Sequence, residues 1–140
     1  MSTFTNLEQN VSVIDTLFSS LAVGDLETFA RLFAPNVVWH QPGDNKFSGD
    51  KPNFGAIGEM VNGMMSDSQG SFYVKPIGKA MANNDLVSVP VQFGGRKDIN
   101  GVQHEYEMPG HDLFRLKDGK IVEVWLFSSD QEGEDRFWGK

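Results

Sequence analysis

The sequence predicts an α+β fold, with helices first and an antiparallel sheet after them that carries those helices on one face. Two observations predict it. As far as Met65, apolar residues recur at three- and four-residue spacing, the period of a helix that buries one stripe. From Ser71 onward, strand-like runs alternate with turn signals at Asn83-Asn84-Asp85, Asn100-Gly101 and Asp118-Gly119. Helices followed by a meander is the order of an α+β domain.

Taken in order, Leu7, Val11, Ile14, Leu17, Phe18 and Leu21 form the stripe of a first helix that Gly24 ends. Asp25 is placed to cap a second helix carrying Leu26, Phe29, Ala30, Leu32 and Phe33, which stops before Pro35. Val37 to Gln41 reads as a short strand closed by Pro42-Gly43, and a polar loop with Gly49 and Pro52 follows. A third helix is expected from about Phe54 to Met65, with Ile57, Met60, Val61 and Met64 on one face. Four strands are then expected over Phe72–Met81, Leu86–Phe93 and beyond, Val102–Leu116 and Ile121–Ser129. No repeat, linker or low-complexity segment interrupts the 140 residues, so one domain spanning 1–140 is expected.

Composition excludes several classes of function. A net charge of -7 and scattered basic residues argue against a nucleic-acid or anionic-membrane surface. There is no cysteine, hence no disulfide, thiolate ligand or Cys nucleophile. The three His are far apart and form no metal-ligand pattern, so no metal and no cofactor is expected. Phosphate-loop, dinucleotide and serine-hydrolase motifs are absent. Met1 to Gln9 is polar without the pattern of a secretory leader, and a cytoplasmic location is the default expectation.

One residue stands out against this background. Asp112 lies inside the strand segment His111-Asp112-Leu113-Phe114-Arg115-Leu116, where an ionised carboxylate is costly unless paired, hydrogen-bonded or neutralised. It belongs either to a wet face or to a site.

The order of elements, Gly24-Asp25-Leu26, Leu32-Phe33-Ala34, the strand ending at Pro42-Gly43, and the Asp-Gly-Lys-Ile turn before Trp125 together carry a resemblance. They resemble the cone-shaped nuclear-transport-factor-2-like (cystatin-like) fold, within it ketosteroid isomerase and the SnoaL-like polyketide cyclases. The closing Asp130-Gln131 and Asp135-Arg136-Phe137-Trp138 are similar to a subgroup of SnoaL-like proteins. The resemblance implies three N-terminal helices on a curved, mostly antiparallel sheet. It places Asp112 where the isomerase keeps a protonated, oxyanion-stabilising Asp. The isomerase's general base falls on Gln41 and its oxyanion Tyr on Leu17. An amide abstracts no proton and a Leu donates no hydrogen bond, so steroid isomerisation by that mechanism is not expected.

Strand alternation assigns faces. If Asp112 points into the cone, so do Phe114 and Leu116, with His104, Tyr106 and Met108 of the same parity unless Pro109-Gly110 forms a bulge. By family analogy Val122, Val124, Leu126, Ser128 and Asp130 face inward, leaving Glu123, Trp125 and Phe127 outside. An outer patch of Trp125 and Phe127 is the expected contact of a homodimer; the other reading packs Trp125 against Phe137 and Trp138. Val37, Trp39 and Gln41 share the inward face, with His40 pointing away unless Pro42-Gly43 turns it to the rim. Asp44 and Asn45 are expected to be solvated, and His111 to be exposed. Met60, Met64, Met65 and Met108 line a pocket or fill core.

The expected function is general acid–base chemistry, of isomerase, cyclase or lyase type, on a small, largely apolar carbonyl compound. Asp112 would act as acid or base, assisted by Asp130, Gln41 and either His40 or His104. Trp39, Met60, Tyr106, Phe114 and Val124 complete the expected substrate contacts. A non-catalytic carrier or dimerisation module is the alternative, with Asp112 hydrogen-bonded to a neighbour. Water addition to an epoxide, using Arg96 or Arg115 beside carboxylates, is a further one.

Overall fold

The computed structural model describes residues 6–140; residues 1–5 of the polar N-terminal stretch lie outside the described residues. Helix α1 (Asn6–Ala22) turns Ile14, Leu17 and Phe18 into the core and gives way at Gly24, whose φ of +71° suits a residue without a Cβ. Asp25 caps α2 (Leu26–Arg31), accepting from the Thr28 backbone N at 3.2 Å and from Thr28 Oγ1 at 2.6 Å. The second helix is shorter than its spacing predicts. Pro35 disfavours helical geometry at Ala34, and Phe33 already opens strand β1 (Phe33–Gln41), its ring packed between Phe29 and Phe54.

The loop expected after Pro42 contains a short strand, β2 (Gly49–Lys51), paired antiparallel with the end of β1. Helix α3 (Phe54–Asp67) starts where Asn53 caps the Ala56 N–H at 2.9 Å, and it buries Ile57, Met60 and Met64. The strand expected over Phe72–Met81 is two strands, β3 (Tyr73–Pro76) and β4 (Met81–Asn83). Pro76 has no N–H to continue the ladder, and the side of Gly78 where a Cβ would stand is filled by Pro90. Both strands pair with β5 (Leu86–Ile99). Strands β6 (Val102–Lys117) and β7 (Lys120–Ser128) complete the hairpins, and helix α4 (Gln131–Trp138), which the sequence reading did not foresee, follows.

The sheet runs β2-β1-β7-β6-β5-β3, with β4 beside β5 off this path. Every pair is antiparallel except β1 and β7, which run parallel and join the first third of the chain to the last hairpin. Helices α1 and α3 lie on the inner face. There Val87, Val89, Val91 and Phe93 alternate inward from β5, and Phe114 and Leu116 from β6.

The anticipated bulge at Pro109-Gly110 is not present. The β5–β6 register is continuous from Leu86↔Arg115 to Ile99↔Val102, so Met108, Gly110, Asp112 and Phe114 share one face. A Cβ on Gly110 would sit 2.2 Å from the Phe127 carbonyl oxygen and 2.8 Å from the Phe93 ring, so only glycine fits this rung. The irregularity lies instead between Arg115 and Leu116, where β7 carries one extra residue, Val122. It reverses the parity expected there: Ile121 is fully buried while Val122 is only half-buried.

Candidate functional site

Asp112 stands on the inner face of β6 between Val89 on β5 and Leu126 on β7. It is 6% exposed, and its side chain makes no hydrogen bond or ion pair with any other described residue. It faces a cavity of about 120 Å³ enclosed by α1, β1, α3, the sheet and α4. The walls are apolar: Leu17 and Phe18 from α1, Met60 and Met64 from α3, Trp39, Phe93, Phe114 and Leu126 from the sheet, and Trp138 from α4. Four polar side chains interrupt them: Gln41, Asp112, Ser128 and Glu134.

Each of these is held by its element. Gln41, 8% exposed at the end of β1, accepts the indole N–H of Trp39 on Oε1 at 2.9 Å. The indole only donates, so it fixes the amide with oxygen toward Trp39 and leaves the –NH2 without a partner among the described residues. Glu134, 4% exposed, rises from α4; its Oε2 accepts from Ser128 Oγ in a short hydrogen bond and from Gln131 Nε2 at 3.4 Å. Burial raises the Glu134 carboxyl above the ordinary range, against the pull of the Ser128 and Gln131 donors. Burial first, and the charge of Glu134 second, push the Asp112 carboxyl up to about 7. Both shifts favour the protonated forms, and the two carboxyls oppose each other's ionisation.

Helix α4 is tied in place at both ends. Asp130 caps it, accepting the Gly133 N–H at 3.0 Å. Asp135 accepts the Asp44 backbone N–H at 3.0 Å and Asn45 Nδ2 at 2.8 Å, and the Lys46 N–H donates to the Gly139 carbonyl at 2.8 Å. These bonds clasp the loop after β1, so Asn45 is buried where solvation was expected, while the Asp44 side chain stays exposed.

The structure gathers some of the expected site residues and scatters others. Asp112, Trp39, Gln41, Met60 and Phe114 meet in the cavity. Asp130 does not: it is an exposed helix cap, because α4 begins where the strand was expected to run on. His40 lies on the opposite face of the sheet, 2.7 Å from both Asp50 and Glu123 and stacked on Trp125 at 5.5 Å. His104 and Tyr106 have the parity of Asp112 but lie further along β6, on an open groove of about 990 Å³ between the β5–β6 arm and α4. Tyr106 packs its ring on Phe137 at 4.4 Å, and burial raises its phenol well above the usual range. Val124 is fully buried core behind Phe114. Met64 lines the cavity, Met108 the groove, and Met65 is exposed.

Among the described residues no Arg or Lys lines the cavity: Arg96 faces the groove, and Arg115 pairs with Asp85 at 2.9 Å on the outer face. The Asp–Arg–Asp arrangement that epoxide hydration needs is therefore not assembled around Asp112. Trp125 contacts His40 and the Arg115 guanidinium, whereas Phe137 and Trp138 pack with Tyr106, Phe47 and Phe72. Sequence reasoning missed the aromatic walls Phe18, Phe72 and Phe93 and, from α4, Glu134 and Trp138. For the α4 pair, Asp130 followed by Glu132 and Glu134 is an N-terminal helix signature that could have found the helix.

The family model described as SnoaL-like domain matches residues 14–124. A protein of unknown function with a cystatin-like fold from Xanthomonas campestris is 38% identical, with a TM-score of 0.84 over 94% of this chain and 98% of its own. Bal32a, from a soil-derived mobile gene cassette, is 21% identical at a TM-score of 0.87, covering 96% of this chain and 99% of that one. IdmH of Streptomyces antibioticus, a proposed polyketide cyclase, is 26% identical at 0.67, over 87% and 93%. No curated protein sequence matches the chain.

Proposed function

Because the chain belongs to the SnoaL-like domain family, we propose that it is an acid–base enzyme, of isomerase, cyclase or lyase type, acting on a small, largely apolar carbonyl compound. The observation that carries this is the unpartnered carboxyl of Asp112 in an apolar cavity that is also lined by the unpartnered amide –NH2 of Gln41. A neutral Asp112 donates its O–H to a ligand oxygen, and Gln41 Nε2 donates to the same oxygen. Both donors stabilise charge that grows on that oxygen as a bond to the neighbouring carbon breaks. The isomerase's base position is thereby recast as a donor position. A carrier with Asp112 hydrogen-bonded to its own neighbour lacks that bond here. The polyketide cyclase proposed for IdmH supports the same substrate class.

The size of the cavity favours one ring or a short chain in the space available, since an apolar cavity of about 150 Å³ accepts benzene. A panel of small ketones, diketones and lactones scored by thermal stabilisation is expected to contain binders. Turnover of the best one should fall about 100-fold or more in Asp112→Asn, which keeps a donor but has no transferable proton. Full activity in that variant would rule the mechanism out.

A homodimer across the outer sheet face and a cytoplasmic setting belong to the same proposal. Phe127 is 56% exposed there, next to the half-buried Trp125. No helix among the described residues is long and apolar enough to cross a membrane.

A further inference from the structure

We propose that Glu134 on α4 is the catalytic base that takes the proton from the substrate held at Asp112, an inference that rests on the carbonyl reading of that site. Glu134 is 4% exposed and lines the same cavity, and no cation pairs with it among the described residues. Its two donors, Ser128 Oγ and Gln131 Nε2, both reach Oε2, which leaves Oε1 without a donor among the described residues. A purely structural buried carboxylate would have both oxygens satisfied, because each unmet lone pair in a dry site carries a desolvation cost. The hydroxyl from β7 and the amide one turn earlier on α4 thus hold one oxygen and present the other. Helix α4 lies beyond residues 14–124, so this carboxyl comes from outside the segment matched by the family model.

The step balances with the groups present. The substrate carbonyl oxygen accepts from Asp112 and from Gln41 Nε2. Glu134 Oε1 takes the proton from the carbon beside the carbonyl, and the C–H electron pair becomes the C=C bond of an enol. The carbonyl π electrons pass to the oxygen, which receives the Asp112 proton. Reversal at another atom of the same molecule returns both protons and leaves an isomer, with no further reactant consumed. Roles are divided by environment: Asp112 is buried without donors, which favours its protonated form, while Glu134 receives two donors on Oε2, which favour its carboxylate.

The probe is cyclohexanone in D2O, with exchange of its α-protons followed by proton NMR. Wild type is expected to accelerate exchange; Glu134→Gln, which preserves shape and the Ser128 contact, should lower kcat at least ~100-fold with little change in KM. The Asp112 carboxyl, followed by 13C NMR without any ligand, should titrate at lower pH in Glu134→Gln, since a neighbouring negative charge is gone. Unchanged exchange in Glu134→Gln, together with an inactive Asp112→Asn, would overturn the role of Glu134 and leave the reading of Asp112 standing. A wild type that does not exchange the ketone would overturn the carbonyl reading itself. Should Glu134→Gln fail to fold, Ser128→Ala takes its place. It releases the held oxygen and should cut exchange about tenfold; undiminished exchange in it would count against the proposal equally.

Discussion

Asp112 shows how one side chain ties stability to activity. Its folded-state carboxyl titrates near 7 against an ordinary 3.8, so the folded protein binds the extra proton throughout that window. Stability must therefore fall as pH rises from about 4 to about 7, by roughly 4 kcal/mol if the group titrated alone. Asp112→Asn is expected to flatten that slope, which urea unfolding at pH values across the window measures. The same ionisation sets the activity profile: kcat/KM should decline above about pH 7 as the acid loses its proton. Asp112 and Gln41 were legible in the sequence because strand parity and family position agreed on their face. Asp130 was misplaced because parity was carried past the last rung of β7. Glu134 was missed because Gln131 to Arg136 is charged and polar, with Gly133 inside it, and shows no apolar stripe, so only the Asp130 cap signature announced the helix.

Among the elements, α4 and the β6–β7 hairpin decide the shape of the cavity. The hairpin was read correctly from its turn: Asp118-Gly119, like Asn100-Gly101 between β5 and β6, places two successive residues at positive φ, the signature of a type I′ connection. Its bulge at Val122 was not, since nothing in Ile121-Val122-Glu123 distinguishes which of two valine-like residues enters the core. Gly110→Ala should test how tightly this hairpin is drawn. A methyl group there meets a backbone oxygen that cannot step aside, so a loss of about 2–4 kcal/mol is expected by thermal or denaturant unfolding. On the outer face, His40 clamps β1 to β2 through Asp50 and to β7 through Glu123. Glu123 first and Asp50 second raise its pKa, so its contribution is complete below the ordinary 6.5 and is lost as pH rises through the folded value. His40→Gln should cost roughly 1 kcal/mol at about pH 6 and less at about pH 8.5.

For the molecule as a whole, the α+β layering was readable from period and turn chemistry alone, while the parallel neighbour of β7 was not, because no local pattern announces a partner some eighty residues away. The proposed dimer is tested at this scale: light scattering at micromolar concentration should give twice the 15.6 kDa chain mass, and Phe127→Lys should return it to one. The seam between β1 and β7 carries a different kind of consequence. Trp39 lies opposite Val124 and His40 opposite Trp125, so the first strand pairs with a strand that is far away along the chain. Closing so long a loop carries an entropic cost that must be met before its contacts reward it. Refolding should accordingly occupy milliseconds to seconds rather than microseconds. Two of the three tryptophans flank this seam, so stopped-flow fluorescence would time its closure directly.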